Sequence, residues 1–204
     1  MYTYVADSAV KALLGCALHV EGSGRVVVVE ILDALCPYCS LMLAETLDAL
    51  RELATAGKIR LAVCEMLVHG EESLRVHAAV RCLPPERRLD ALKAFMLRGE
   101  PVPAEPCPEG EGAARACDAA ARAAGAVSTP SLVVYNEEGK IGRLYRGYMS
   151  LDSVLAAIAE VSAMRARCPL TRPLPPVHEV REEGTFIPII FPLSSHSVAN
   201  GAAR

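Results

Sequence analysis

Val26-Val27-Val28-Val29-Glu30-Ile31-Leu32, followed after three residues by Cys36-Pro37-Tyr38-Cys39, decides how the chain folds. The first run is β-branched and almost wholly apolar, the pattern of a central strand buried on both faces. Past the cysteines, Leu41, Leu43, Leu47, Leu50 and Leu53 recur at helical spacing. A Cys-x-x-Cys pair between a strand and a helix suits dithiol–disulfide chemistry, because two intervening residues bring both sulfurs onto one helical turn. The first thiol then sits at the helix N-terminus, where unpaired N–H groups and the helix dipole favour a thiolate. Pro37 agrees, since proline is best tolerated at the first helical position. The spacing alone also fits half of a zinc site or two inert buried thiols.

Working outward, the helix predicted after Cys36 ends near Gly57, a plausible C-cap. Residues 58–66 read as a second strand, completing a β-α-β unit. The cysteine pair lies at the carboxyl end of its first strand, where open α/β sheets place their sites. Residues 67–126 have little strand character. Helices are predicted over 71–82 and 86–97, then a Pro/Gly-rich loop over 99–112, then an alanine-rich helix over 113–124. Strand character returns at 130–135 and 141–145, a hairpin across the turn at 136–139. Ser150 opens a last helix over 151–164. Upstream, residues 7–20 read as an amphipathic helix and 21–24 as a turn. The expected organisation is an N-terminal helix within 1–23, an α/β domain over 24–164 with a helical insert at about 67–126, and a Pro-rich extended tail over 165–204. Phe186-Ile187-Pro188-Ile189-Ile190-Phe191 is apolar enough to dock, on its own chain or on a second copy as a homodimer. Its prolines forbid a helix.

The 204 residues suffice for one core and an appendage. A net charge of -3 gives no basic footprint, so nucleic acid is not an expected partner. No apolar run approaches the roughly 18–20 residues that cross a bilayer. The first residues lack the basic start and apolar core of a signal peptide, which reads as cytoplasmic. Eight cysteines are unusual there, hyperthermophile proteins being the exception. Gln is absent and Asn occurs only at 136 and 200, a depletion that also fits a thermophilic source.

Three features converge: the cysteine pair after a strand, a Thr129-Pro130 step opening a later strand, and β-β-α at the end. Together they resemble the thioredoxin fold, with a helical insertion between the second strand and the strand that Pro130 opens. The resemblance implies that the Thr129–Pro130 bond is cis and lies beside the cysteines, aiming the backbone of Thr129 at an extended peptide. The helical insert narrows the likeness to the catalytic domain of the disulfide isomerases DsbC and DsbG, within the DsbA-like superfamily. There a second, structural disulfide staples the insert, and Cys82 and Cys107 fall where that pair would lie. Residues 125–130 and Tyr145-Arg146-Gly147-Tyr148 also match.

The resemblance implies roles. Cys36 attacks as thiolate, Cys39 resolves the mixed disulfide, and Pro37, Tyr38, Thr129 and Pro130 contact substrate. Glu30, a carboxylate inside an apolar strand, matches the buried acid that takes the proton of Cys39, and otherwise reads as a strand-end or ion-paired residue. Asp33 matches an acid of the isomerase branch or forms a turn. The expected partners are protein thiols or disulfides and a redox partner, and the dithiol itself serves in place of a cofactor. Pro-Tyr between the cysteines is typical of glutaredoxins, so a glutathione-dependent reductase is one alternative. A non-catalytic peptide-binding module is the other. No metal is expected: a Cys36/Cys39/Cys64/His69 set would need two loops to converge, and the histidines read as surface or capping residues. Cys64 and Cys117 read as buried thiols, and Cys16 as a partner for Cys168 or for another chain.

Overall fold

The computed structural model describes residues 2–164. Strands β1 (Tyr2–Val5), β2 (His19–Glu21), β3 (Val26–Leu32), β4 (Ile59–Glu65), β5 (Ser131–Asn136) and β6 (Ile141–Arg146) form one sheet. The helices are α1 (Asp7–Cys16), α2 (Pro37–Thr55), α3 (Glu71–Arg81), α4 (Pro85–Arg98), α5 (Pro108–Ala123) and α6 (Leu151–Ala163). The strand order is β1-β6-β5-β3-β4-β2. β3 runs parallel to β4 and antiparallel to β5, so its whole length is paired on both edges.

Every residue of β3 is buried. Alternation along the strand divides its side chains between two cores. Val26, Val28 and Leu32 pack into one core with Leu43, Leu47 and Leu50 of α2 and Val154 and Val161 of α6. Val27, Val29 and Ile31 pack into the other with Val10 and Leu13 of α1 and Cys117 and Ala121 of α5. The same alternation puts Glu30 on the α2 side and Cys64 of β4 on the α1/α5 side.

Two expectations need correction. Residues 1–23 are not a lone helix: α1 stops at Cys16, and strands β1 and β2 flank it as opposite edges of the sheet. Both are short, four and three residues, so their periodicity is too brief to stand out from a helical pattern. The loop expected over 99–112 is also shorter, because α5 begins at Pro108 with Cys107 as its N-cap. Proline at N1 is a helix start, and the Gly-rich turn that follows hides it. Gly110 is tolerated in α5 for a packing reason: a Cβ there would lie 2.4 Å from the Ala78 carbonyl oxygen and 2.7 Å from Cys82 Sγ. α5 therefore presses on α3 where Cys82 and Cys107 form a disulfide, their Cα atoms 6.1 Å apart. The tail over 165–204, with its expected docking and Cys168, lies outside the described residues.

Candidate active site

Cys36 is the N-cap of α2 and Pro37 its first helical residue. The turn before the helix is closed by Cys36 N–H donating to the Asp33 carbonyl at 3.1 Å. Cys36 is 7% exposed and Cys39 only 1%, while Tyr38 between them is 63% exposed. The Thr129–Pro130 bond is cis, and Cys36 Sγ donates to the Thr129 carbonyl at 3.6 Å. Cys36, Pro37, Tyr38, Cys39, Thr129 and Pro130 thus meet at one end of the sheet, where β3 ends and β5 begins. Tyr38, Val127 and Val68 line this end as exposed apolar side chains, from the α2 turn, the loop before Pro130 and the loop after β4.

Cys39 is sealed from water, and burial pushes its thiol far above the ordinary cysteine value. Its sulfur accepts a long hydrogen bond from Asp33 N–H at 3.5 Å. Any reaction of this sulfur as a nucleophile therefore needs a group to take its proton. Glu30 and Cys39 line one small cavity, of about 10 Å³, together with Met42 and Pro130. That is about the space one water needs. Burial raises the Glu30 carboxyl to about 7, against a smaller opposing effect of the hydrogen bond from Thr46. Thr46 Oγ1 stands 2.8 Å from both Glu30 Oε1 and the Met42 carbonyl. A hydroxyl has one proton to give. Thr46 therefore divides its one proton between two acceptors, Glu30 Oε1 and the Met42 carbonyl. Glu30 Oε2 has no partner among the described residues.

Asp33 plays a different part. It is fully buried, and burial pushes its carboxyl up. Hydrogen bonds from Ser73 and from the Leu35 and Val68 N–H groups outweigh burial and hold it below the ordinary value. Oδ2 accepts from Val68 N–H (2.7 Å), His69 N–H (3.2 Å) and Ser73 Oγ (2.6 Å), and Oδ1 from Leu35 N–H (2.8 Å). As an ionised anchor it ties the cysteine turn to the loop after β4.

His77 is not a surface residue. It is completely buried, and its Nε2 accepts from Ala34 N–H at 3.0 Å. Burial lowers its pKa, so the neutral ring is the one that accepts. The signal was present: Ser73, Leu74, His77, Ala78 and Arg81 share one buried face of α3 at helical spacing. The Cys36/Cys39/Cys64/His69 set does not assemble, because Cys64 points to the opposite side of the sheet. Cys64 instead meets Cys16 and Cys117, a cluster that spacing in the chain could not reveal.

No family model matches the sequence, and no curated protein matches it. Solved structures do. The catalytic domain of Proteus mirabilis ScsC superposes with a TM-score of 0.60 at 16% identity, over 75% of this chain and 94% of that one. A periplasmic thioredoxin-like protein from Salmonella enterica gives 0.59 at 16%, over 78% and 98%. Pseudomonas aeruginosa DsbA2 gives 0.56 at 16%, over 72% and 94%. The fold is thioredoxin-like. At these identities the likeness is one of fold, and it does not by itself show the narrower DsbC/DsbG domain. The comparisons also overturn the cytoplasmic placement: one of the structures that this chain resembles is described as periplasmic. No helix among the described residues is long and apolar enough to cross a membrane.

Proposed function

We propose that this chain is a thiol–disulfide oxidoreductase that exchanges disulfides with extended segments of protein substrates through Cys36 and Cys39. The carrying observation is the juxtaposition of the helix-capping Cys36 sulfur with the Thr129 carbonyl, above a buried Cys39 that shares a cavity with Glu30.

In the reducing direction, Cys36 attacks one sulfur of a substrate disulfide. The S–S bond breaks, the departing substrate sulfur takes up a proton, and a mixed disulfide joins Cys36 to the other sulfur. Cys39 gives its proton toward Glu30 through the cavity and attacks Cys36 Sγ. The second substrate thiolate is expelled, and two electrons have passed from the dithiol to the substrate. The oxidising direction is the reverse. Exposed Tyr38, Val127 and Val68 offer apolar contacts for residues flanking the substrate cysteine, and an extended chain would approach along the backbone at Thr129.

Insulin reduction and reactivation of scrambled ribonuclease test the reading. Cys36→Ser should abolish both, and retained activity would refute it. Cys39→Ser should accumulate mixed disulfides. Rates that require glutathione would indicate a glutaredoxin-like reductase. The reduction potential of Cys36–Cys39 fixes the direction of flow.

A further inference from the structure

We propose that Cys16, Cys64 and Cys117 form a three-thiolate binding site for a soft d10 metal ion, with Cu(I) the ion whose coordination it fits. The site is separate from the cysteines at the start of α2 and does not depend on the function proposed for them.

The three residues come from three elements. Cys16 is the last residue of α1, Cys64 lies in β4, and Cys117 lies in the middle of α5. Their sulfurs all lie within 4.8 Å of one another, and those of Cys16 and Cys117 are 3.0 Å apart. Three sulfurs around one ion at about 2.3 Å would stand roughly 4 Å from each other. Cys16, the partly exposed member, is the one with room to move as the short pair opens to that spacing. The sheet separates this cluster from Cys36 and Cys39, which pack in the opposite core.

The donor set selects among metals. Thiolates prefer Cu(I), zinc and iron–sulfur clusters over harder ions. A closed zinc site takes four ligands, and no fourth Cys, His, Asp or Glu joins the cluster among the described residues. Glu65, adjacent to Cys64, has both oxygens on Arg81. Three soft sulfurs in a dry setting suit an ion content with three.

The surroundings favour charge on sulfur. The Arg81 guanidinium donates to the Cys16 carbonyl oxygen at the rim of the cluster. The three thiols release their protons to solvent as they ligate. No electrons move, and Cu(I) enters and stays as Cu(I). Cys64 and Cys117 are fully buried and Cys16 is partly exposed, so the Cys16 side is the way in.

The test uses the full chain carrying Cys36→Ser, Cys39→Ser and Cys168→Ser, titrated anaerobically with Cu(I) against a chromogenic Cu(I) chelator. One equivalent should be withheld from the chelator, with X-ray absorption giving three sulfur neighbours. Adding Cys16→Ser, at a partly exposed position, should weaken binding by about 100-fold or more. Cys117→Ala, checked for folding by circular dichroism, should do the same. Equal Cu(I) retention with and without Cys16→Ser would overturn the proposal. So would tighter four-coordinate binding of Zn(II), or a Cys16–Cys117 disulfide in protein purified without air.

Discussion

Glu30 and Cys39 line the same cavity of about 10 Å³ beneath the first turn of α2, one from the centre of β3 and one from the helix. The carboxyl, raised to about 7, is ionised in part at neutral pH. It can therefore accept the proton of a thiol that burial holds protonated. In Glu30→Leu the release of substrate from a preformed Cys36 mixed disulfide should slow by roughly 10²-fold, the ordinary scale of a positioned proton acceptor. In the native protein that rate should climb with pH through about 7, as Glu30 loses its proton. The inflection should vanish in Glu30→Leu. Stopped-flow measurement of resolution against pH checks both, and an unchanged rate would dismiss the role.

The same carboxyl costs stability. Its folded value of about 7 lies above its ordinary 4.5, so the folded state binds the proton more tightly than the unfolded chain. The stabilising contribution is fully present below pH 4.5 and is lost as pH rises through 7. Over the whole window that is roughly 3 kcal/mol. Glu30→Gln keeps an acceptor for Thr46 and removes the titration. Relative to the native protein, its stability should improve between pH 5 and pH 8 by up to that amount. Urea unfolding at the two values measures it.

Asp33 has the opposite sign. Its folded value lies below the ordinary 3.8, so its contribution is present above that value and is lost as pH falls through the folded one. Asp33→Asn removes a buried charge that accepts from Leu35, Val68, His69 and Ser73. The loss should be about 2–4 kcal/mol at pH 7. The difference from the native protein should shrink toward pH 3, and hydrogen exchange at the Val68 and His69 amides should quicken in the variant.

Much of this site was legible in the chain, and the reasons are local. A seven-residue buried strand, a proline at N1 and a helix with five spaced leucines leave few readings for residues 26–55, and Glu30 stands out because the strand around it is apolar. The pairing of Cys82 with Cys107 came only through resemblance, since spacing does not determine connectivity. The partner of the buried His77 is not legible in the chain, because a histidine's sequence neighbours do not reveal that Ala34 N–H waits across the loop. The meeting of Cys16, Cys64 and Cys117 depends on β2 closing against β4 and on α5 packing beside α1, contacts between segments as far as 101 residues apart. Strands as short as β1 and β2 were lost for want of period.

Two glycines on α5 separate packing from propensity. Gly110 is buried against α3, where a new Cβ would stand 2.4 Å from the Ala78 carbonyl oxygen and 2.7 Å from Cys82 Sγ. The obstacle includes backbone and a cross-linked sulfur, neither of which yields as a flexible side chain would. Gly112, two residues on, is exposed and has nothing within 4 Å of the same position. In both, alanine gains about 1 kcal/mol of intrinsic helix preference. Gly112→Ala should keep that gain and raise the melting temperature by roughly 2–4 °C. Gly110→Ala should lose about 1–3 kcal/mol to overpacking, enough to outweigh it. It should also make Cys82–Cys107 easier to reduce, because α5 is levered off the helix to which the disulfide ties it. Thermal unfolding of the two variants side by side checks the contrast. Equal shifts of the same sign would mean that α5 does not press on α3 at Gly110.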